Sequence, residues 1–158
     1  MNFSHKGFTL IEIMVAISVI TIGVVGIYSL APKVISITFA NFDKFVASQL
    51  SQEGIEMVRN IRDTNLLNWS SWDSGLTSCL EPIGCEIDYD DSSLQYYQGR
   101  LLKINSSGFY NYENGQNTKF KRKIIIIQNG DILNLKTQII LPSNEVIFEV
   151  QENLYNWR

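Results

Sequence analysis

The stretch KGFTLIEIMVAISVITIGVVGIYSL, which runs from Lys6 to Leu30, decides how the chain is organised. From Phe8 onward it contains 23 residues, and Glu12 is the only charged side chain among them. As a helix rising about 1.5 Å per residue, this segment would be roughly 35 Å long, enough to cross a hydrocarbon core of about 30 Å. Lys6 precedes the apolar run, and a basic residue on that side favours a cytoplasmic amino terminus with the remaining chain exported.

The apolar run has three interpretations from its residues. A secretory signal peptide is shorter, and although Ser29-Leu30-Ala31 imitates a cleavage site, Pro32 follows it directly. A simple membrane anchor explains the length but gives no role to Glu12, and a carboxylate inside a membrane helix usually marks function. The third interpretation must give Glu12 a positive partner, and it comes from the residues that surround Glu12.

The third interpretation rests on a resemblance to a known protein family. The residues Lys6-Gly7-Phe8-Thr9-Leu10-Ile11-Glu12 resemble the processing signal of type IV prepilins and pseudopilins, with a short basic leader, a glycine, a phenylalanine and a glutamate in register. The resemblance implies that a membrane prepilin peptidase removes residues 1–7 by cutting between Gly7 and Phe8 and then methylates the Phe8 amine. It also implies assembly with other pilin subunits into a helical filament, through an inner-membrane assembly platform.

Glu12 is the candidate assembly residue. Cutting creates a cationic amine at Phe8, which needs a counter-charge in apolar surroundings. Glu12 lies four residues on, about one helical turn, and can offset this amine or, as the resemblance implies, the amine of a neighbouring subunit. A buried pair between subunits would fix their axial register. The alternative is that Glu12 only reaches back to the membrane interface.

Residues 31–63 predict an amphipathic helix. Pro32 predicts a kink or a locally unwound stretch, because proline removes a helical hydrogen bond and clashes with the preceding turn. Apolar side chains then recur at intervals near 3.6 residues, with Gly54 on the same stripe. This stripe, which we expect to pack on a globular core, contains Phe39, Phe42, Val46, Leu50, Met57, Val58 and Ile61, with Phe45 beside it. The predicted helix ends near Arg62 or Asp63.

Residues 64–158 predict a globular head. Residues 64–98 are rich in Ser, Asn, Asp and Gly and indicate an irregular connection, which we expect Trp69 and Trp72 to anchor to the core. Short strand candidates follow at Arg100–Asn105 and Phe109–Tyr112.

Three stronger strands complete the chain. Lys119–Gln128 contains four consecutive isoleucines and predicts a central strand. Tight turns at Asn129-Gly130-Asp131 and Pro142-Ser143-Asn144 separate it from two alternating stretches, which predicts an antiparallel meander. The expected fold class is therefore α+β, with the long N-terminal helix, membrane-spanning over residues 8–30, packed on an antiparallel sheet of about four strands.

Two cysteines and an acidic run lie in the irregular connection. Cys79 and Cys85 are expected outside the cytoplasm, where a disulfide closing this small loop is plausible, with two free thiols as the alternative. The acidic residues Glu86, Asp88, Asp90 and Asp91 predict a solvated loop rather than a cation site, because the glycine and terminal glutamate of an EF-hand are absent. We therefore assign no metal ligand.

A basic cluster precedes the isoleucine run and contains Lys119, Lys121, Arg122 and Lys123. Alternation along a strand places the three lysines on one face. We interpret them as a solvated strand end; DNA, anionic lipid or acidic groups on a neighbouring subunit are alternatives.

The composition excludes several enzyme classes. The net charge is −3, and the only histidine, His5, lies near the start in the expected leader. The expected head therefore has no histidine for a Ser-His-Asp or Cys-His site, and the chain cannot form a multi-histidine metal site. We expect no enzyme and no cofactor, but a major or minor filament subunit. It would be a single-pass protein of the cytoplasmic membrane, with its C-terminal head outside, before entering an extracellular filament. Alternatives are a pseudopilin of type II secretion or DNA uptake, and a tip-located minor pilin that binds through residues 64–98.

Overall fold

The computed structural model describes residues 7–156. The described residues form one helix, α1 (Leu10–Leu67), and eight strands. The strands are β1 (Cys85–Glu86), β2 (Gln95–Tyr96), β3 (Lys103–Ile104), β4 (Tyr110–Asn111), β5 (Gln116–Asn117), β6 (Lys121–Asn129), β7 (Ile132–Ile140) and β8 (Val146–Tyr155). The chain divides into two compact units, one ending at Phe42 and one beginning at Asp43.

Helix α1 is continuous through Pro32. Of the two alternatives predicted at Pro32, the locally unwound stretch is therefore wrong, and the kink stays a prediction. Proline withdraws a single backbone donor, and the i→i−4 hydrogen bonds on both sides hold the helix in this 58-residue element.

Helix α1 also ends later than predicted, at Leu67 rather than Arg62 or Asp63. The Trp69 N–H donates to Leu66 O at 3.3 Å and the Ser70 N–H donates to Asn65 O at 3.0 Å, while Trp69 has a φ of 58°. These two bonds around a left-handed residue are a Schellman termination. Glycine normally occupies the left-handed position, so a tryptophan there hides the stop signal from sequence reasoning.

The strands form two antiparallel sheets, and the strand count exceeds the prediction of about four. The larger sheet has the order β2-β1-β6-β7-β8, and the smaller has the order β4-β3-β5. The predicted meander is present as β6, β7 and β8, with Gly130 at φ 61° in the first tight turn. β1 and β2 add to the sheet beside β6, which makes the isoleucine strand central. The two short strand candidates belong to the smaller sheet instead.

Within the second unit, α1 packs on the sheet through a stripe of small and apolar side chains. Its buried residues are Ala47, Leu50, Ser51, Gly54, Ile55 and Val58. Ile55 and Val58 join a core cluster with Ile124 and Ile126 of β6. Ala47 and Leu50 join a second cluster with Ile139 of β7. This α+β architecture, a long N-terminal helix packed on antiparallel sheets, is consistent with a pilin fold.

Two parts of the predicted core are wrong. Phe39, Phe42 and Phe45 are 68%, 63% and 61% exposed, so they are not core residues of this chain. Phe45 lies two residues before the buried Ala47, and two residues turn a helix by about 200°, which directs it away from the sheet. Trp72 is buried as predicted, whereas Trp69 is 84% exposed, because it occupies the turn that terminates α1.

Candidate assembly site

The junction predicted for cleavage lies immediately before α1. Gly7, Phe8 and Thr9 are non-helical and exposed, and Phe8 is 83% exposed. An accessible, non-helical peptide with a glycine on one side of the scissile bond can adopt the extended shape that a protease groove needs. Residues 1–6, on which most of the predicted leader falls, lie outside the described residues.

Thr9 and Glu12 form a capping box at the first turn of α1. The Thr9 N–H and the Thr9 hydroxyl donate to Glu12 Oε2 at 3.2 and 3.1 Å, and the Glu12 N–H donates to Thr9 Oγ1 at 3.4 Å. Such a box satisfies amide groups that have no partner inside the helix, and the carboxylate also suits the positive end of the helix dipole. Thr9 was not among the predicted site residues, although the Thr-x-x-Glu spacing before an apolar run would have revealed it.

The capping box places a carboxylate beside the prospective new terminus. A cut after Gly7 would leave the Phe8 amine next to Thr9, whose own N–H already donates to Glu12. The Glu12 oxygens would then be at one end of the helix, exposed, and available to a cation of this chain or of another copy. The geometry therefore fits both roles considered for Glu12.

Beyond Glu12, the apolar side chains of α1 are uncovered. They are at least 45% exposed at every large apolar position from Leu10 to Leu30, and α1 is long and apolar enough to cross a membrane by length and composition. Ser18, Thr21 and Ser29 donate their hydroxyls to carbonyls of the preceding turn, so their polar groups are satisfied within the helix. Such a surface requires lipid or other apolar helices around it.

The head is held to α1 by a buried cation. Arg122 of β6 is fully buried, and its Nη1 lies 3.0 Å from Glu53 Oε2 of α1. Nη2 donates to Ile87 O at 2.7 Å, and Nη1 also approaches Leu50 O at 3.3 Å. The interpretation of Arg122 as part of a solvated basic cluster is therefore wrong.

None of the three lysines of that cluster is buried with Arg122. Lys119 pairs with Asp43 at 2.5 Å, and Lys123 donates to Pro82 O at 2.5 Å while lying over the ring of Tyr97. Alternation separates them from Arg122, which shares the face of Ile124 and Ile126. Arg122 lies two and four residues before these isoleucines and therefore on the same face of the strand. This spacing is the sequence signal that could have identified Arg122 as buried.

The acidic run is only partly solvated, which corrects the prediction of a solvated loop. Glu86 is fully buried and accepts from Arg100 Nε at 2.6 Å. Asp88 is 6% exposed and accepts from the N–H groups of Tyr89 and Tyr112 at 2.8 and 2.9 Å. These carboxylates therefore stabilise the fold of the connection, since their oxygens are occupied by internal donors. Within residues 7–156, no group of three His, Cys, Asp or Glu side chains could hold a metal ion.

A disulfide joins Cys79 and Cys85 in the structure, with the two Cα atoms 5.2 Å apart. Both cysteines are buried, and Cys79 O accepts from the Ile126 N–H at 2.9 Å. Cys85 pairs with Ile124 across β1 and β6. The bridge thus holds both ends of its loop against the central strand.

Comparison with known proteins identifies the N-terminal segment. The prokaryotic N-terminal methylation motif matches residues 2–28, which include Gly7, Phe8, the capping box and most of the apolar run. Neither curated proteins nor solved structures give a match to this chain. Residues 2–28 therefore carry the type IV prepilin signature, and this signature supports a protein of the type IV pilin-like or pseudopilin family.

Proposed function

We propose that this chain is a subunit of a type IV pilus or of a type IV pilus-like filament. The observation that carries the proposal is the methylation motif at residues 2–28 placed directly on an apolar helix whose side chains are exposed. Proteins with this motif are structural subunits. The chain is then the substrate of a processing enzyme and not itself an enzyme.

The pathway follows from the chemistry of the junction. Before processing, the apolar run holds the chain in the cytoplasmic membrane with the head outside. Prepilin peptidase cuts between Gly7 and Phe8 and methylates the Phe8 amine. Glu12 then pairs with the terminal amine of a neighbouring subunit as the assembly platform moves the helix from lipid into a bundle. This exchange conserves apolar burial, because helices replace lipid around the same side chains.

Composition analysis of sheared surface filaments tests the proposal. We expect the chain in filaments from cells with an intact prepilin peptidase, and only in membranes from cells without that peptidase. An abundant band would identify a major subunit, and a scarce one a minor subunit, including a tip-located adhesive module. Equal amounts in the filament fraction of both strains would contradict the proposal. A pseudopilin of type II secretion or DNA uptake would instead depend on the peptidase but remain in the cell envelope.

A further inference from the structure

The head has an open aromatic groove that the role proposed for the N-terminal segment does not use. Its volume is about 380 Å³. One wall comes from α1 and the other from the turn between β3 and β4. The lining residues, which define the aromatic groove, are Phe45, Val46, Gln49, Leu50, Glu53, Gly108, Phe109 and Tyr110.

The second wall of the aromatic groove is held in place by local contacts. Asn105 Oδ1 accepts from the N–H groups of Ser107 and Phe109 at 2.9 and 3.0 Å. The ring of Phe109 stacks on Tyr89 with 5.9 Å between centroids. A groove whose walls are already fixed binds a partner with less loss of conformational entropy.

Two of the three aromatic side chains that line the groove are largely exposed, and the third, Tyr110, is partly buried. Phe45 is 61% exposed and Phe109 is 60% exposed, although each could bury a large apolar area. Aromatic residues that line an open concave surface are typical anchors of protein interfaces. This surface therefore indicates a partner.

The first unit carries an uncovered apolar surface of its own on α1. After Leu30, the exposed large apolar residues of this unit are Val34, Ile35, Ile37, Phe39 and Phe42. From Leu10 to Leu30 the helix is already about 30 Å long, which is the thickness of a bilayer core. The later part of this surface thus lies outside lipid and needs another cover. Such a cover must be apolar, and the aromatic groove of another copy of this chain supplies an apolar surface.

We propose that the aromatic groove binds α1 of a second copy of this chain, with Phe39 or Phe42 of that copy seated between Phe45 and Phe109. The groove and the segment Val34–Phe42 are different surfaces, so each copy offers one of each. A contact between unlike surfaces does not close on itself, and it propagates into a helical filament. The inference rests on the proposed filament function and names a contact within it.

Paired cysteines in full-length subunits test this contact directly. We would combine Asn41→Cys, in the exposed segment, with Gln49→Cys, in the groove. Eight residues of helix separate them by about 12 Å, which is too far for a bond within one chain, so a disulfide must join two copies. The control combines Asn41→Cys with Gln151→Cys, an exposed position on β8. The native cysteines are already paired and do not compete.

Mild oxidation of intact filaments should give a ladder of covalent oligomers for the groove pair and none for the control pair. A ladder from neither pair, or an equal ladder from both, in filaments that assemble normally would overturn the inference while leaving the proposed function intact. If the unmodified chain never enters filaments, the proposed function fails and the inference fails with it.

A second pair of variants measures the groove without cysteines. Phe109→Ala removes a groove wall, whereas Tyr96→Ala removes an equally exposed aromatic ring at 62% exposure outside the groove. We expect Phe109→Ala to lower the ratio of filament to membrane subunit by about tenfold, which corresponds to about 1.4 kcal/mol. Tyr96→Ala should leave the ratio unchanged. Equal ratios for both variants would overturn the inference.

Discussion

Arg122 of β6 and Glu53 of α1 form a salt bridge of 3.0 Å in which the arginine is fully buried. The same guanidinium donates to Ile87 O in the connection beyond β1. One cation therefore links the helix, the central strand and the irregular connection. The bridge therefore ties the part of α1 after Asp43 to the sheet and the connection within the second unit.

Replacing Arg122 should destabilise the head strongly. Arg122→Ala removes a fully buried side chain and leaves the Ile87 carbonyl without this donor, whereas Glu53 is 34% exposed and can be solvated. Truncation of a large buried side chain typically lowers the free energy of unfolding by about 2–5 kcal/mol. Denaturant unfolding of the full chain in detergent, followed by near-UV circular dichroism, measures this change. Lys121→Ala, one position away, should stay within about 0.5 kcal/mol of the unmodified chain. Similar losses for both variants would show that Arg122 is not the link.

Gly54 should not tolerate a larger side chain. A Cβ at this position would lie 2.9 Å from Thr137 Cγ2 and 3.1 Å from Arg122 Cδ. In a helix, alanine is normally more stable than glycine by about 1 kcal/mol. Overpacking a tight contact, however, typically costs about 1–3 kcal/mol. Gly54→Ala should therefore lower the thermal unfolding midpoint of the head. Gly26→Ala is the matched control, because nothing lies within 4 Å of its Cβ. A rise in the midpoint for Gly54→Ala would contradict the packing described here.

The head should lose stability in alkali through Tyr112. Burial raises the pKa of Tyr112 well above its ordinary value of 10.0. The folded state then keeps a proton that the unfolded state releases. This contribution to stability is fully present below pH 10 and is lost as the pH rises above it toward the folded pKa. Burial also raises the pKa values of Tyr97 and Tyr110, which act in the same direction.

Unfolding midpoints measured below and above pH 10 check this dependence. Tyr112→Phe should reduce the fall of the unfolding midpoint above pH 10, whereas Tyr155→Phe, at a half-exposed tyrosine, should not. If the midpoint of Tyr112→Phe fell as steeply as that of the unmodified chain, Tyr112 would be excluded as the source of the alkaline loss of stability.

The strongest periodic elements could be predicted from the sequence. The isoleucines Ile124–Ile127 identified β6, and the turns around Gly130 and Asn144 identified the meander, because strand alternation and turn chemistry act locally. The apolar run identified the first part of α1 for the same reason. Local signals of this kind do not depend on the remainder of the fold.

The features that were missed depend on contacts between distant residues. Arg122 is buried because Glu53 and Ile87, far away in sequence, supply its acceptors. Glu86 is buried because Arg100 reaches it. Phe45 fits an apolar pattern, yet its exposure depends on which side of α1 the sheet covers. Composition and spacing do not contain these pairings.

Glu12 should be required for assembly and dispensable for insertion. Glu12→Gln removes the charge, which lowers the cost of placing the helix in lipid, but leaves a neighbouring amine without a counter-charge. We expect the variant in membranes and not in filaments. Thr9→Val separates this role from helix capping, since it removes the Thr9 hydroxyl bonds and should cost about 1 kcal/mol without blocking assembly. Normal filaments from Glu12→Gln would remove the role proposed for this carboxylate.

The intact mass of the mature protein tests the central claim most directly. Cells that contain the processing peptidase should yield a chain of residues 8–158 carrying one added methyl group, and fragmentation should place that group on the Phe8 amine. A mature chain that still carries Met1–Gly7, or one cut after Ala31, would contradict the account.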